Sequence, residues 1–220
     1  LVELYRQKKL LRYVDIISEM AESSLPEIRK VYKGRIEKLI MGCDFKFWIP
    51  VPSPELKKSI RDELNIPQEK IVFFASGNFI PRKQLDKLIE VFQKISESDD
   101  FFLNITGHGE ESNTKLLTSL ARTLVKQKKV AFHSYVNVNE LRKIYWASDV
   151  YISVATDEGG PVSVMKAMAC GLPVISTPVG NTAEKMMKHG VGIIVSIGNY
   201  KEWVNAILEI LNKKIPKAID

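Results

Sequence analysis

The chain has 220 residues, 45% of them hydrophobic and 26% charged, with a net charge of +6. This suits a globular α/β domain with its own core, or one domain plus part of a second, and not a disordered or fibrous chain. The basic excess fits a phosphate-bearing ligand or an anionic membrane surface, but the lysines are spread along helices, and no platform of interleaved aromatics points to nucleic acid.

The first fifty residues are read as a helix through Leu11, a strand-like stretch at 14–18, a second helix and an apolar run at 38–42. The chain opens on Leu1 without the charged-then-apolar layout of a signal segment, so it is expected to start inside a longer protein. Pro50, Pro52 and Pro54 break helix and ladder alike, and a domain junction is placed there. Residues 1–50 are thus an interdomain segment, the tail of a preceding domain, and 51–220 the ligand-binding domain. Ser53 is expected to cap the next helix, with Pro54 at its first position.

From there short β-rich runs alternate with amphipathic helices. Strands are predicted at 71–76, 101–106, 130–133, 150–154, 173–176 and 192–195; several are continuous apolar runs, as in strands buried on both faces. Between them apolar residues recur at helical steps: Leu85, Leu88, Ile89, Phe92 and Ile95, then Leu116, Leu117, Leu120 and Leu124, then Trp203, Ile207, Leu208 and Leu211. Right-handed crossovers make this a doubly wound, Rossmann-like parallel sheet. No run reaches the roughly eighteen apolar residues of a membrane span. Asn104-Ile105-Thr106 matches a glycosylation acceptor, but it falls in an apolar strand.

Cys43 and Cys170 lack metal-ligand spacing and are expected as free thiols, although one disulfide is formally open. His108, His133 and His189 share no helix face, so no metal centre is expected.

Ligands of an open parallel sheet bind beyond the carboxyl ends of its strands. After the first of the six strands come Gly77, Asn78, Arg82 and Lys83. Glycine admits a close backbone and the two cations open a helix, which fits a bound phosphate; the other reading is a proline turn with two solvated charges. Gly107-His108-Gly109 follows the next strand, where His108 either donates to a phosphate or sugar or is simply solvated. After the fourth, Glu158-Gly159-Gly160-Pro161-Val162 leads into a helix. Bare amides and free helix N–H groups there suit a diphosphate, and a carboxylate just before them suits sugar hydroxyls. The competing reading is an acidic residue favoured by the helix dipole alone.

Residues 149–153, 158–161 and 167–175 (DVYIS, EGGP and AMACGLPVI) together resemble the C-terminal domain of retaining family 4 glycosyltransferases. Residues 77–83, 107–109, 141–147 and 177–180 match as well, and 14–18 and 41–44 resemble the family's passage between its two domains. The resemblance covers nearly the whole chain. It implies the GT-B fold, two Rossmann-like domains across a cleft, of which this chain is the C-terminal half. It further implies transfer of a sugar from a UDP- or GDP-type nucleotide sugar to a glycan, lipid or small-molecule acceptor, without cofactor or metal. The setting is cytoplasmic, with attachment at the inner membrane surface open. Glu158 would hold sugar hydroxyls, the amides from Gly159 to Val162 the diphosphate or sugar, Lys83 the departing diphosphate, and Ser134, Tyr135 and Val136 the base.

Two positions depart from the family's pattern. Its second glutamate, eight positions after the first, grips the ribose; here Lys166 stands there, and a lysine cannot accept hydrogen bonds, so it is expected either to reach a phosphate of the donor or to lie elsewhere. Asn78 stands where an arginine is common, and Arg82 is a candidate substitute. These departures motivate a rival reading as a binding or scaffold protein that kept the fold and lost the chemistry. A nucleotide-sugar epimerase is a more distant third. Without its N-terminal half, the chain is expected to bind donor weakly and to transfer nothing.

Overall fold

The computed structural model describes residues 9–20, 22–39 and 41–212. Strands β1 (Ile16–Glu19) and β2 (Arg35–Lys38) pair in parallel through helix α1 (Leu25–Val31). The larger sheet contains β3 (Ile71–Ser76), β4 (Phe101–Thr106), β5 (Val130–His133), β6 (Val150–Ser153), β7 (Val174–Ser176) and β8 (Ile193–Ile194). All its pairings are parallel, in the order β5-β4-β3-β6-β7-β8. The helices are α2 (Pro54–Glu63), α3 (Leu85–Lys94), α4 (Glu111–Leu120), α5 (Arg122–Lys126), α6 (Val138–Ala147), α7 (Val162–Ala169), α8 (Gly180–His189) and α9 (Tyr200–Leu211). Among the described residues no helix is long and apolar enough to cross a membrane.

The sheet is doubly wound, as the alternation predicts. Phe73, Leu103, Ile105 and Ile152 pack on one face with Leu88, Ile89, Phe92, Leu124, Trp203 and Ile207. The opposite face carries Phe74 and Tyr151 against Trp48, Tyr145 and Val164, with Val72 and Phe102 against Ile60 and Ile66. Every residue of β4 is buried, which explains its mostly apolar sequence. Asn104 is also fully buried there, its Oδ1 3.2 Å from His133 Nε2, so the glycosylation match lies out of reach.

One charged network ties the amino ends together. Asp149, just ahead of β6, accepts from Lys57 Nζ and Arg61 Nη2 at 2.6 Å each and from the Val72 N–H at 2.7 Å. Arg61 is 5% exposed and also donates to the carbonyls of Ala147, Gln68 and Lys70. The network fastens α2 to β3 and β6, and α2 starts as expected, with Ser53 Oγ accepting from Leu56 N at 3.2 Å.

The sequence is corrected at several places. The helix through Leu11 falls mostly on residues 1–8, outside the described residues. The second early strand is Arg35–Lys38, ahead of the apolar run at 38–42, of which residue 40 is not described. Its Arg-Ile-Glu-Lys sequence hides it, because neither face of this small sheet is buried. The leucine stripe at 116–124 spans two helices, α4 and α5, and Leu116 is 52% exposed.

β3 is flanked by β4 and β6, so the connections from β3 and β6 depart to opposite sides. That reversal opens a crevice above their carboxyl ends, where such sheets bind ligands.

Candidate functional site

The loops after β3 and β6 are fastened across this crevice. The Thr156 N–H donates to the Arg82 carbonyl at 2.9 Å. Arg82 Nη1 returns two bonds, to the Asp157 carbonyl at 2.9 Å and to Glu158 Oε1 at 2.7 Å. Lys83 Nζ forms an ion pair with the same carboxylate oxygen. The Glu158 and Lys83 side chains are only 11% and 17% exposed, whereas Arg82 is 46% exposed and stands at the rim. Three residues read separately from two loops thus converge on one point.

Backbone geometry sets where Lys83 lies. Gly77 has φ +152°, and a Cβ there would stand 3.1 Å from Lys83 Cε. The neighbouring loop is as close: a Cβ on Gly107 would fall 1.9 Å from the Gly77 carbonyl oxygen. The Gly77 N–H donates to the Thr106 carbonyl and the Phe79 N–H to that of His108, at 3.0 and 2.7 Å. Asn78 is exposed at the mouth.

Gly159, Gly160 and the buried Pro161 turn the chain into α7, where Val162 is the first helical residue. No side chain caps α7, in contrast to α6, where Asn137 and Glu140 form a complete capping box. The Val164 N–H donates to the Pro161 carbonyl at 3.0 Å, so the N–H groups of Val162 and Ser163 are the ones placed to meet a ligand. The turn is held from behind by the Asn181 N–H, which donates to the Gly159 carbonyl at 3.1 Å. Tyr145 Oη donates to the Ser163 carbonyl at 2.9 Å. A Cβ on Gly159 would lie 2.8 Å from Met20 Cε, and one on Gly160 3.0 Å from Met20 Sδ and 3.2 Å from Met41 Cγ. Neither these methionines nor Asn181 was singled out from sequence. Asn181 was within reach of that reading, since its helix follows β7 at the same edge of the sheet.

The loops after β4 and β5 meet beside the crevice. The rings of His108 and Tyr135 stand edge to face with centroids 6.0 Å apart. Tyr135 is 81% exposed, Ser134 is exposed, and Val136 packs into the core around Phe74 and Tyr145.

Lys166 does not join Glu158. Its ammonium lies 4.6 Å from the centre of the Trp48 ring, and burial lowers its pKa. Cys43 is beside it, its Sγ 3.8 Å from the Met165 carbonyl oxygen. Both thiols are free; that of Cys170 is pushed up to about 12 by burial.

The assembled site has two cations, an uncapped helix N-terminus and a carboxylate, a set able to hold an anion beside hydroxyl groups. A sequence model of the family described as glycosyl transferases group 1 matches residues 57–219. The chain is 24% identical to the GDP-mannose-dependent monoacylated alpha-(1-6)-phosphatidylinositol monomannoside mannosyltransferase of Corynebacterium glutamicum, over 96% of this chain and 56% of that one. It is 24% identical to the N-acetyl-alpha-D-glucosaminyl L-malate synthase of Bacillus anthracis, over 90% of this chain and 50% of that enzyme. The chain therefore spans about half the length of these curated relatives. Among solved structures, Anabaena HepE in complex with UDP and glucose superposes with a TM-score of 0.80 at 18% identity, over 96% of this chain and 60% of that one. Sucrose-phosphate synthase from Thermosynechococcus elongatus also gives 0.80, at 22% identity, over 96% and 52%.

Proposed function

The chain belongs to the glycosyl transferases of group 1, and on that premise we propose that it is the donor-binding part of a retaining, family 4 type hexosyltransferase. The observation that carries this reading is the convergence of Lys83 and Arg82 on Glu158 at the point where the sheet reverses direction. The diphosphate of a nucleotide sugar lies between Lys83 and the N–H groups at the start of α7. Charge developing on the leaving group is stabilised there by fixed donors rather than by a metal or cofactor. Glu158 accepts from the sugar hydroxyls and orients the anomeric carbon for attack from the leaving-group face, without forming a covalent bond. Tyr135, with Ser134 and Val136, lies toward the base, and His108 toward a phosphate or the sugar. The UDP-bound neighbour and the GDP-mannose-dependent relative support a UDP- or GDP-sugar as donor.

Residues 1–50 are assigned to the end of a preceding domain, which supplies the rest of the cleft and the site for a glycan, lipid or small-molecule acceptor. The contact of Met20 and Met41 with the glycine turn supports this. The chain alone is expected to transfer nothing. We place the enzyme in the cytoplasm, with attachment at the inner membrane surface compatible with its basic charge.

Calorimetric titration with UDP-, GDP- and ADP-sugars tests the reading. Saturable binding of one of them, abolished by both Glu158→Ala and Lys83→Ala, is expected; binding indifferent to both substitutions refutes it. The second reading, a scaffold without catalysis, is favoured by the Lys166 ammonium over Trp48. Lys166→Glu separates the two. A large gain in donor binding supports a degenerate site, and a loss makes Lys166 a ligand contact.

A further inference from the structure

Glu158 does not wait in the crevice as a free acceptor. It lies four residues ahead of the uncapped start of α7, and its one oxygen takes both Lys83 and Arg82, cations of the loop after β3. With Glu158 and Lys83 both mostly shielded from water, this pairing is stronger than a surface ion pair. We infer that Glu158 is an internal stand-in for the diphosphate: it neutralises the phosphate site when no ligand is bound, and an arriving diphosphate displaces it. The inference rests on the donor-site reading above and adds a competition to it.

Charge decides the direction of the exchange. One carboxylate against two cations leaves the cluster with a net positive charge, which a diphosphate, carrying more negative charge than a carboxylate, satisfies better. Displacement also has a consequence for the sugar. A carboxylate oxygen engaged by lysine as well as arginine is a poorer acceptor for hydroxyls than the same oxygen once the lysine has left it. The diphosphate end of the donor thereby prepares the group that holds its sugar end. A free sugar, lacking phosphate, meets a carboxylate with one oxygen still held by both cations. Arg82 is also held by the Asp157 carbonyl and stays on the β6 loop, so Lys83 is the cation that changes partner.

Inorganic pyrophosphate is the probe, because it needs no knowledge of the base or the sugar. Its affinity is measured calorimetrically for the natural chain, Glu158→Gln, Lys83→Met and the double variant, with thermal melting of each to establish folding. Removing the internal competitor should tighten pyrophosphate binding by roughly tenfold, and Lys83→Met should weaken it in either background. In crystals soaked with pyrophosphate, Lys83 should contact the ligand and no longer Glu158. Equal or weaker binding by folded Glu158→Gln, or a Lys83–Glu158 pair that survives in the complex, overturns the stand-in while leaving the donor site intact. No binding by any folded variant overturns both.

Discussion

Replacement of Asp149 by alanine tests the energetic reading of the fold at the end of the sheet away from the crevice. The substitution removes the acceptor of Lys57, Arg61 and the Val72 N–H at once. Breaking a buried pair by deleting one partner costs about 3–5 kcal/mol, chiefly because the other charge stays buried and uncompensated. Two features set the figure at the lower end. The Asp149 side chain is 23% exposed, and Arg61 keeps three carbonyl acceptors. A loss of about 3 kcal/mol is therefore expected, equivalent to a fall in Tm of roughly 6–12 °C for a domain of this size. Urea unfolding followed by far-UV circular dichroism measures it, with pyrophosphate affinity as a control that should not move. The double replacement Asp149→Leu with Arg61→Met, which removes both charges, should recover much of the loss. A single-variant loss below about 1 kcal/mol would mean that the network is solvated like a surface pair and that this reasoning is wrong.

Three further outcomes are expected. Gly77→Ala places a methyl group 3.1 Å from Lys83 Cε at φ +152°; it should cost about 1–3 kcal/mol in backbone strain and weaken pyrophosphate binding as Lys83 gives way, and unchanged affinity would count against the placement of Lys83. Burial lowers the pKa of His133 below its ordinary 6.5. The unfolded chain then binds the proton first as pH falls, so stability should decline from about pH 6.5 down to the lowered value; urea midpoints at pH 7.5 and 5.5 should differ less in His133→Asn. Iodoacetamide at pH 8 should modify the partly exposed Cys43 faster than Cys170, whose thiol is held near 12; mass spectrometry should find a second adduct only after denaturation, and equal labelling in the folded chain would contradict this.

The strands at the centre of the larger sheet were legible because β3, β4 and β6 are largely apolar runs buried on both faces, a pattern that survives without knowledge of its neighbours. β2 was missed for the opposite reason: a short strand with no fully buried residue carries no such pattern. The meeting of Arg82, Lys83 and Glu158 could be anticipated from the rule that ligands collect beyond carboxyl ends. Its internal ion pairing could not, since that depends on a side-chain choice between residues 75 or 76 positions apart. Lys166 shows the limit most plainly. Its position suggested a ligand contact, but its ammonium rests on Trp48, brought there by packing of the segment that precedes the junction. The closeness of Met20 and Met41 to Gly159 and Gly160 has the same origin.

The small sheet of β1 and β2 has a single ladder, so both of its strands are edge strands among the described residues. Tyr13, Ile16 and Leu39 beside it are 84%, 46% and 45% exposed. An edge strand is a template for another strand. Because the two strands run parallel, the two edges differ, and the outer edge of β1 in one copy matches the outer edge of β2 in the next. Contacts of that head-to-tail kind repeat from copy to copy, closing into a ring or growing into a filament according to the rotation between neighbours. Purified at high concentration, this chain should scatter light increasingly with time, and a lysine in place of Ile16 should keep it dispersed.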